Sequence, residues 1–187
     1  DKGRLMGTFA EDCAESFQFT RDAQDEYALK SLSNALEAQQ SGAFEGEITP
    51  VTLTTRKGEL VISEDEQPGN ANLEKIPTLR AAFKKDGTVT AANASSLNDG
   101  AAAVVLASRK KAEELGLPIL ATIAGYANAG VDPAIMGIGP VSATQRCLEK
   151  AGWSLGDVDL IEANEAFAVQ SLSVGKELDW EAEKVNV

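Results

Sequence analysis

"GTVTAANASSLNDGAAAVVLAS", residues 87–108, is poor in charge and rich in alanine, with two β-like runs set around a turn at Asn98-Asp99-Gly100. The second run, "AAAVVLAS", shows no polar alternation, so it reads as a strand covered on both faces. Such a strand needs helices above and below its sheet, which makes the chain α/β. The sequence on either side fits that reading. A polar helix is expected over 109–115, closed by Gly116, and "PILATIAGYA" (118–127) is a second strand candidate. Pro140 starts a helix with Ala143, Cys147, Leu148 and Ala151 on one face, and Gly152 stops it. "VDLIEA" (158–163) is a third strand, leading into a helix that Asn164 could cap.

Upstream the texture is more polar. Thr8 and Glu11 have the spacing of a capping box, which predicts a short helix through Phe17. Thr20 caps a longer helix that carries Ala28, Leu32, Ala35 and Leu36 on one face and ends at Ser41-Gly42. "EITPVTLT" (47–54) and "ELVIS" (59–63), joined by "TRKG", alternate apolar and polar residues and predict a hairpin. Residues 64–77 read as a surface excursion. The change of texture sets a domain boundary within 87–98.

With 187 residues, 43% hydrophobic and 25% charged, the composition is that of a soluble globular chain. A net charge of −12 argues against a nucleic-acid partner. No apolar run reaches the ~20 residues of a membrane span, and no secretory leader is visible. Cys13 and Cys147 lie far apart without framework spacing, which suits a reducing cytoplasm. The absence of histidine removes the commonest general base and metal ligand, and no metal motif is present. A start at Asp1 without methionine and an end on the strand-like "KVNV" lead us to expect an excerpt of a longer protein.

The residues allow two readings at each candidate site. Both cysteines sit on helices, where an unassisted thiol behaves as a small core hydrophobe. "TAANASSLNDG" is either a turn whose Asn and Ser side chains bond their own backbone, or a wall of small residues along which a ligand lies, with Ser95 as donor. "IMGIGPVSA" is either punctuation before a helix or a loop turning Met136 toward a pocket. Asn164 is either a helix cap, with Glu165 at the positive helix end, or a side chain presented for chemistry.

Six blocks in order resemble the thiolase family, and within it the acetyl-CoA acetyltransferases. They are "MGTFAEDCA" (6–14), "RDAQDEYALKS" (21–31), "GAFEGEITPV" (42–51), "GTVTAANASSLNDGAAA" (87–103), "MGIGPV" (136–141) and "EANEAFA" (162–168). The resemblance covers nearly the whole chain. It implies a layered α/β/α core, incomplete here, with an inserted α/β loop domain. Residues 1–92 would be the loop domain that covers coenzyme A (CoA), 93–116 the end of the N-terminal core and 117–187 the first part of the C-terminal core.

The resemblance also implies acyl transfer between CoA thioesters: two acetyl-CoA condense to acetoacetyl-CoA, or a 3-ketoacyl-CoA is cleaved by CoA. The partners would be acetyl-CoA, CoA and 3-ketoacyl-CoA, all substrates, with no separate cofactor, in a cytoplasmic homodimer or homotetramer. Asn164 matches the asparagine that holds a water in an oxyanion hole. Ala166 and Phe167 match the lining of the pantetheine tunnel, and Ser95 matches a serine that bonds the pantetheine arm. Met6, Phe83, Ala91, Leu97 and Met136 match residues around the acyl and CoA path.

The sequence departs from the family in several places. Neither cysteine falls at a catalytic position, and the family's acylated cysteine, histidine and second cysteine lie outside these 187 residues. Leu5 stands where many short-chain members have histidine, and an arginine near the CoA nucleotide has no counterpart, leaving Lys75 or Arg80 as substitutes. The alternatives to part of an enzyme are a shortened thiolase-like protein that only binds CoA or acyl-CoA, and a pseudo-subunit that only pairs with a complete partner.

Overall fold

The computed structural model describes residues 3–187; residues 1 and 2, the first two of the expected loop domain, lie outside the described residues. Among the described residues, six α-helices and one hairpin follow in order: α1 (Met6–Phe17), α2 (Arg21–Ser41), β1 (Val51–Thr55), β2 (Gly58–Ile62), α3 (Glu66–Asn70), α4 (Arg109–Glu114), α5 (Gly139–Ala151) and α6 (Ala168–Leu178). Short 3₁₀ segments lie at Leu73–Thr78, Pro133–Ile138, Leu155–Asp157 and Ala182–Lys184.

Most helix limits follow from local chemistry. The Thr20 hydroxyl accepts the Ala23 N–H at the start of α2, and Gly42 ends it in the left-handed region at φ 69°. Pro140 lies in the first turn of α5, and Gly152 closes it. Helix α4 stops before Gly116, as expected. The hairpin pairs Val51 with Ile62 and Thr55 with Gly58, leaving Arg56-Lys57 as a two-residue loop.

Helix α1 begins at Met6, before Thr8, and the expected capping box is absent: the Thr8 hydroxyl donates to the Leu5 carbonyl at 2.7 Å. Glu11 has a different task. Only 4% exposed, its carboxylate accepts the N–H of Thr88 and of Val89 at 2.9 Å and the Thr88 hydroxyl at 3.1 Å. A Cβ at residue 87 would collide with this carboxylate, so glycine there is a requirement of close approach. Each buried N–H left without a partner costs about 1–3 kcal/mol, so Glu11→Ala should lower unfolding free energy by about 2–5 kcal/mol, and Glu11→Gln by less, since it keeps one acceptor. Urea denaturation of the two variants measures this.

The small core consists of Ala10 and Ala14 from α1, Val169 from α6 and Val89, joined by the half-buried Cys13, Phe19, Phe83, Ala94 and Phe167. Helix α6 packs on α1 and α2, and the Pro133–Ile138 turn packs against α1 and α6. The stripe expected on α2 does not enter this core: Ala28, Leu32 and Ala35 are half-buried along a groove, while Gln24 and Asp25 are the buried residues of that helix.

The three expected core strands are corrected. Residues 101–108, 118–127 and 158–163 form no ladder, and the only sheet among the described residues is the antiparallel β1–β2 pair. Val105 is 90% and Leu120 95% exposed. An apolar run becomes a strand only when a neighbouring strand accepts from its N–H groups and donates to its C=O groups, and no strand among the described residues does so at 101–108. Among the described residues of the three runs, Ile161 alone forms a bridge: it pairs with Val185 in parallel, donating to Lys184 O at 2.8 Å and accepting from Asn186 N at 3.0 Å. No helix among the described residues is long and apolar enough to cross a membrane.

Candidate active site

The expected site segments, 70 or so residues apart in sequence, meet in space. Ala94 forms an antiparallel bridge with Phe167. The Ser95 N–H donates to Ala166 O at 3.0 Å, and the Ala168 N–H donates to Asn93 O at 2.9 Å. Phe83 packs edge-on against Phe167, ring centroids 6.3 Å apart at 79°. A side chain at Gly7 would overlap the Phe83 ring, so the start of α1, which carries Met6, lies against the same aromatic pair.

These pairings explain why Asn164 and Glu165 do not start a helix. Residues 166 and 167 are held extended by their partners at 94 and 95, so α6 starts at Ala168 with Phe167 as its cap residue. Asn164 is therefore no cap; it is exposed and makes no hydrogen bond among the described residues. Glu165 is not at a helix end either.

A groove of about 590 Å³ runs beside this junction. One wall is α2, with Tyr27, Ala28, Ser31, Leu32 and Ala35; the other is Ala91 to Ser96; Lys75 stands on the Leu73–Thr78 segment and Asn72 caps it. Among the sequence candidates, Ala91 and Ser95 line the groove, and the Ser95 hydroxyl has no partner among the described residues. Phe83 and Phe167 pack on the core, Ala166 is half-buried beside them, and Met136 is half-buried on the turn against α1 and α6. Met6 and Leu97 are exposed and do not line the groove.

The floor of the groove is a buried polar network that sequence reasoning missed. The Asn93 carboxamide accepts the Thr90 N–H at 2.7 Å and donates to Asp25 at 2.9 Å, and Asp25 pairs with Arg21 at 2.6 Å. Arg21 also donates to Ile76 O at 3.0 Å, fixing the turn that carries Lys75. Glu165 accepts from the Tyr27 hydroxyl at 2.9 Å, from the Ser31 hydroxyl, and from Asn186 Nδ2 at 2.8 Å. Burial pushes the Tyr27 phenol up to about 12; the Ser171 hydroxyl lowers it, while the Glu165 charge and hydrogen bond add to the rise. Tyr27 thus stays a neutral donor at any physiological pH.

Cys13 is not poised for nucleophilic attack. Burial raises the Cys13 thiol above its usual range, only partly offset by Ser173, whose hydroxyl lies 3.2 Å from Sγ. Among the described residues no cluster of His, Cys, Asp or Glu could hold a metal ion. The arrangement offers an open groove with donors and small side chains, next to a loop that presents an amide.

The N-terminal domain of thiolase matches residues 1–110, and the thiolase C-terminal domain matches residues 117–187. An acetyl-CoA acetyltransferase of Pseudomonas aeruginosa is 60% identical over 97% of this chain and 47% of its own length. One of Paracoccus denitrificans is 52% identical over 97% and 47%. The crystal structure of the Bacillus anthracis acetyl-CoA acetyltransferase superposes with a TM-score of 0.95 at 54% identity, covering 98% of this chain and 47% of that one. Human mitochondrial 3-ketoacyl-CoA thiolase does so with a TM-score of 0.91 at 44% identity, over 97% and 46%. The chain spans about half the length of these relatives. With both domains matched in order and the same fold, it belongs to the thiolase family.

Proposed function

We propose that the protein carrying this chain is an acetyl-CoA C-acetyltransferase, which joins two acetyl-CoA into acetoacetyl-CoA or cleaves a 3-ketoacyl-CoA with CoA. The observation that supports it best is the Ala94–Phe167 bridge with its Ser95-to-Ala166 hydrogen bond, because it joins the small-residue wall of the groove to the loop bearing Asn164. On this reading the pantetheine arm lies along Ala91 to Ser95, with the Ser95 hydroxyl as donor and Ala166 and Phe167 closing the path. Met6, Phe83, Leu97 and Met136 border the acyl and CoA route. Asn164, its amide free, holds a water toward the oxygen on which negative charge develops.

Residues 1–92 form the domain that covers CoA, 93–116 end the N-terminal core and 117–187 begin the C-terminal one, in a layered α/β/α arrangement. The unpaired runs at 101–108 and 118–127 become strands of that arrangement once their neighbours are present. The substrates are CoA thioesters, the assembly a homodimer or homotetramer, and the location the cytoplasm. The chain contains no histidine, and Cys13 is a deactivated thiol, so the covalent steps belong to residues outside these 187.

Two preparations test the reading. Incubated with acetoacetyl-CoA and CoA, the complete protein should consume the thioester absorbance at an enzymatic rate, and the 187-residue chain should not. A complete protein that binds CoA without turnover would replace the enzyme by a binding module.

A further inference from the structure

We infer that Glu165 and Asn186 are positioning residues that fix the loop presenting Asn164, and that they are themselves anchored on helix α2; this rests on the catalytic reading of Asn164 given above. Residues 162–166 belong to no helix or strand, so nothing in the regular backbone sets the direction of the Asn164 side chain. The residues on either side of it are held instead. Asn186 Oδ1 accepts the Ala163 N–H at 2.8 Å, and its Nδ2 donates to Ala163 O at 2.9 Å, so one carboxamide replaces a strand neighbour. The same Nδ2 donates to Glu165 at 2.8 Å, using its second hydrogen.

The clamp is tied to α2 at three points. Asn34 donates to Asn186 O at 2.9 Å, and Tyr27 and Ser31 donate to the two oxygens of Glu165. Asn186 itself sits at φ 50°, a left-handed conformation that asparagine tolerates better than most residues. Both neighbours of Asn164 are thereby immobilised while its own side chain is left without a partner among the described residues. A catalytic group carried on a loop needs such a supporting shell to stay within about 0.5 Å of its working position. Tyr27 and Ser31 also line the groove, so the helix that forms the groove wall is hydrogen-bonded directly to the loop that carries the amide.

The test is a set of kinetic cycles on the complete protein. A shift of about 1 Å in a reacting group can cost on the order of 10²-fold, so Glu165→Ala and Asn186→Gly should each lower kcat by about tenfold to a hundredfold with KM nearly unchanged. Glycine at 186 keeps the left-handed backbone and removes only the clamp. Glu165→Gln, which retains an acceptor for Asn186, should recover most of the loss. In the background of Asn164→Ala, adding Glu165→Ala should change kcat by no more than about twofold, because its effect passes through a side chain already gone. Should Glu165→Ala not fold, Tyr27→Phe removes one donor from the same carboxylate and should give a smaller loss with the same non-additivity.

If Asn164→Ala lowers kcat strongly and the Glu165 effect multiplies in full on top of it, the positioning role is overturned and the catalytic reading of Asn164 stands. A loss that falls on KM overturns it equally, since Glu165 would then be meeting substrate in the groove. Unchanged kcat in Asn164→Ala itself overturns the catalytic reading and, with it, the positioning role.

Discussion

Asn164→Ala should lower kcat of the complete protein by about 10²–10³ while KM moves little, as loss of one oxyanion-hole donor does. The expectation follows from what the side chain lacks. A helix-capping asparagine would be bonded to its own helix, and its removal would cost about 1 kcal/mol of stability with activity intact. Here α6 begins four residues later, and the Asn164 amide makes no hydrogen bond among the described residues. Removing it should therefore leave the fold unharmed. A protein that keeps its melting temperature and loses its rate separates the two roles in one variant.

Ala91→Leu should remove measurable CoA binding, a larger effect than deletion of any single hydrogen bond along the path. The wall from Ala91 to Ser95 carries three methyl groups, the Ser95 hydroxyl and the Asn93 carboxamide, which is bonded to Asp25, and faces Ala28, Ser31, Leu32 and Ala35 of α2 across the groove. Leucine adds three carbons in the space assigned to a thin pantetheine arm. Its backbone neighbours cannot retreat, because Asn93 and Ser95 are bonded to Ala168 and Ala166. Ser95→Ala removes one exposed donor and should cost only about 0.5–1.5 kcal/mol in affinity. The order of the two effects is set by steric exclusion against a single polar contact.

Local signals in the sequence were legible where local chemistry decides the outcome. Thr20, Gly42, Pro140 and Gly152 mark helix limits, and the chain between Thr55 and Gly58 turns a hairpin, as their side chains and glycines dictate. The same reasoning failed at Thr8 and Glu11, where the spacing was right and the partner was 77 residues away. A working capping box occurs instead at Ser154 and Asp157, whose carboxyl is held below its usual range by the Ser154 hydroxyl and N–H. The local chemistry of Asn164 and Glu165 reads as a helix start, and that reading loses to the pairing of Ala166 and Phe167 with residues 94 and 95. The partners of Glu165, Tyr27 and Ser31, lie 138 and 134 residues away, so only the fold reveals them. The run at 101–108 shows the other limit: its composition reads as burial on both faces, whereas pairing depends on neighbours distant in sequence, and none pairs with it among the described residues.

Calorimetric titration of CoA into the complete protein and its Ala91→Leu variant is the most direct test that the groove beside Asn164 is an acyl-CoA site. Saturable binding to the unsubstituted protein, absent in Ala91→Leu and weakened only slightly in Ser95→Ala, is the predicted result. Equal affinity in the unsubstituted protein and in a folded Ala91→Leu variant would mean that CoA runs elsewhere, and would contradict the account.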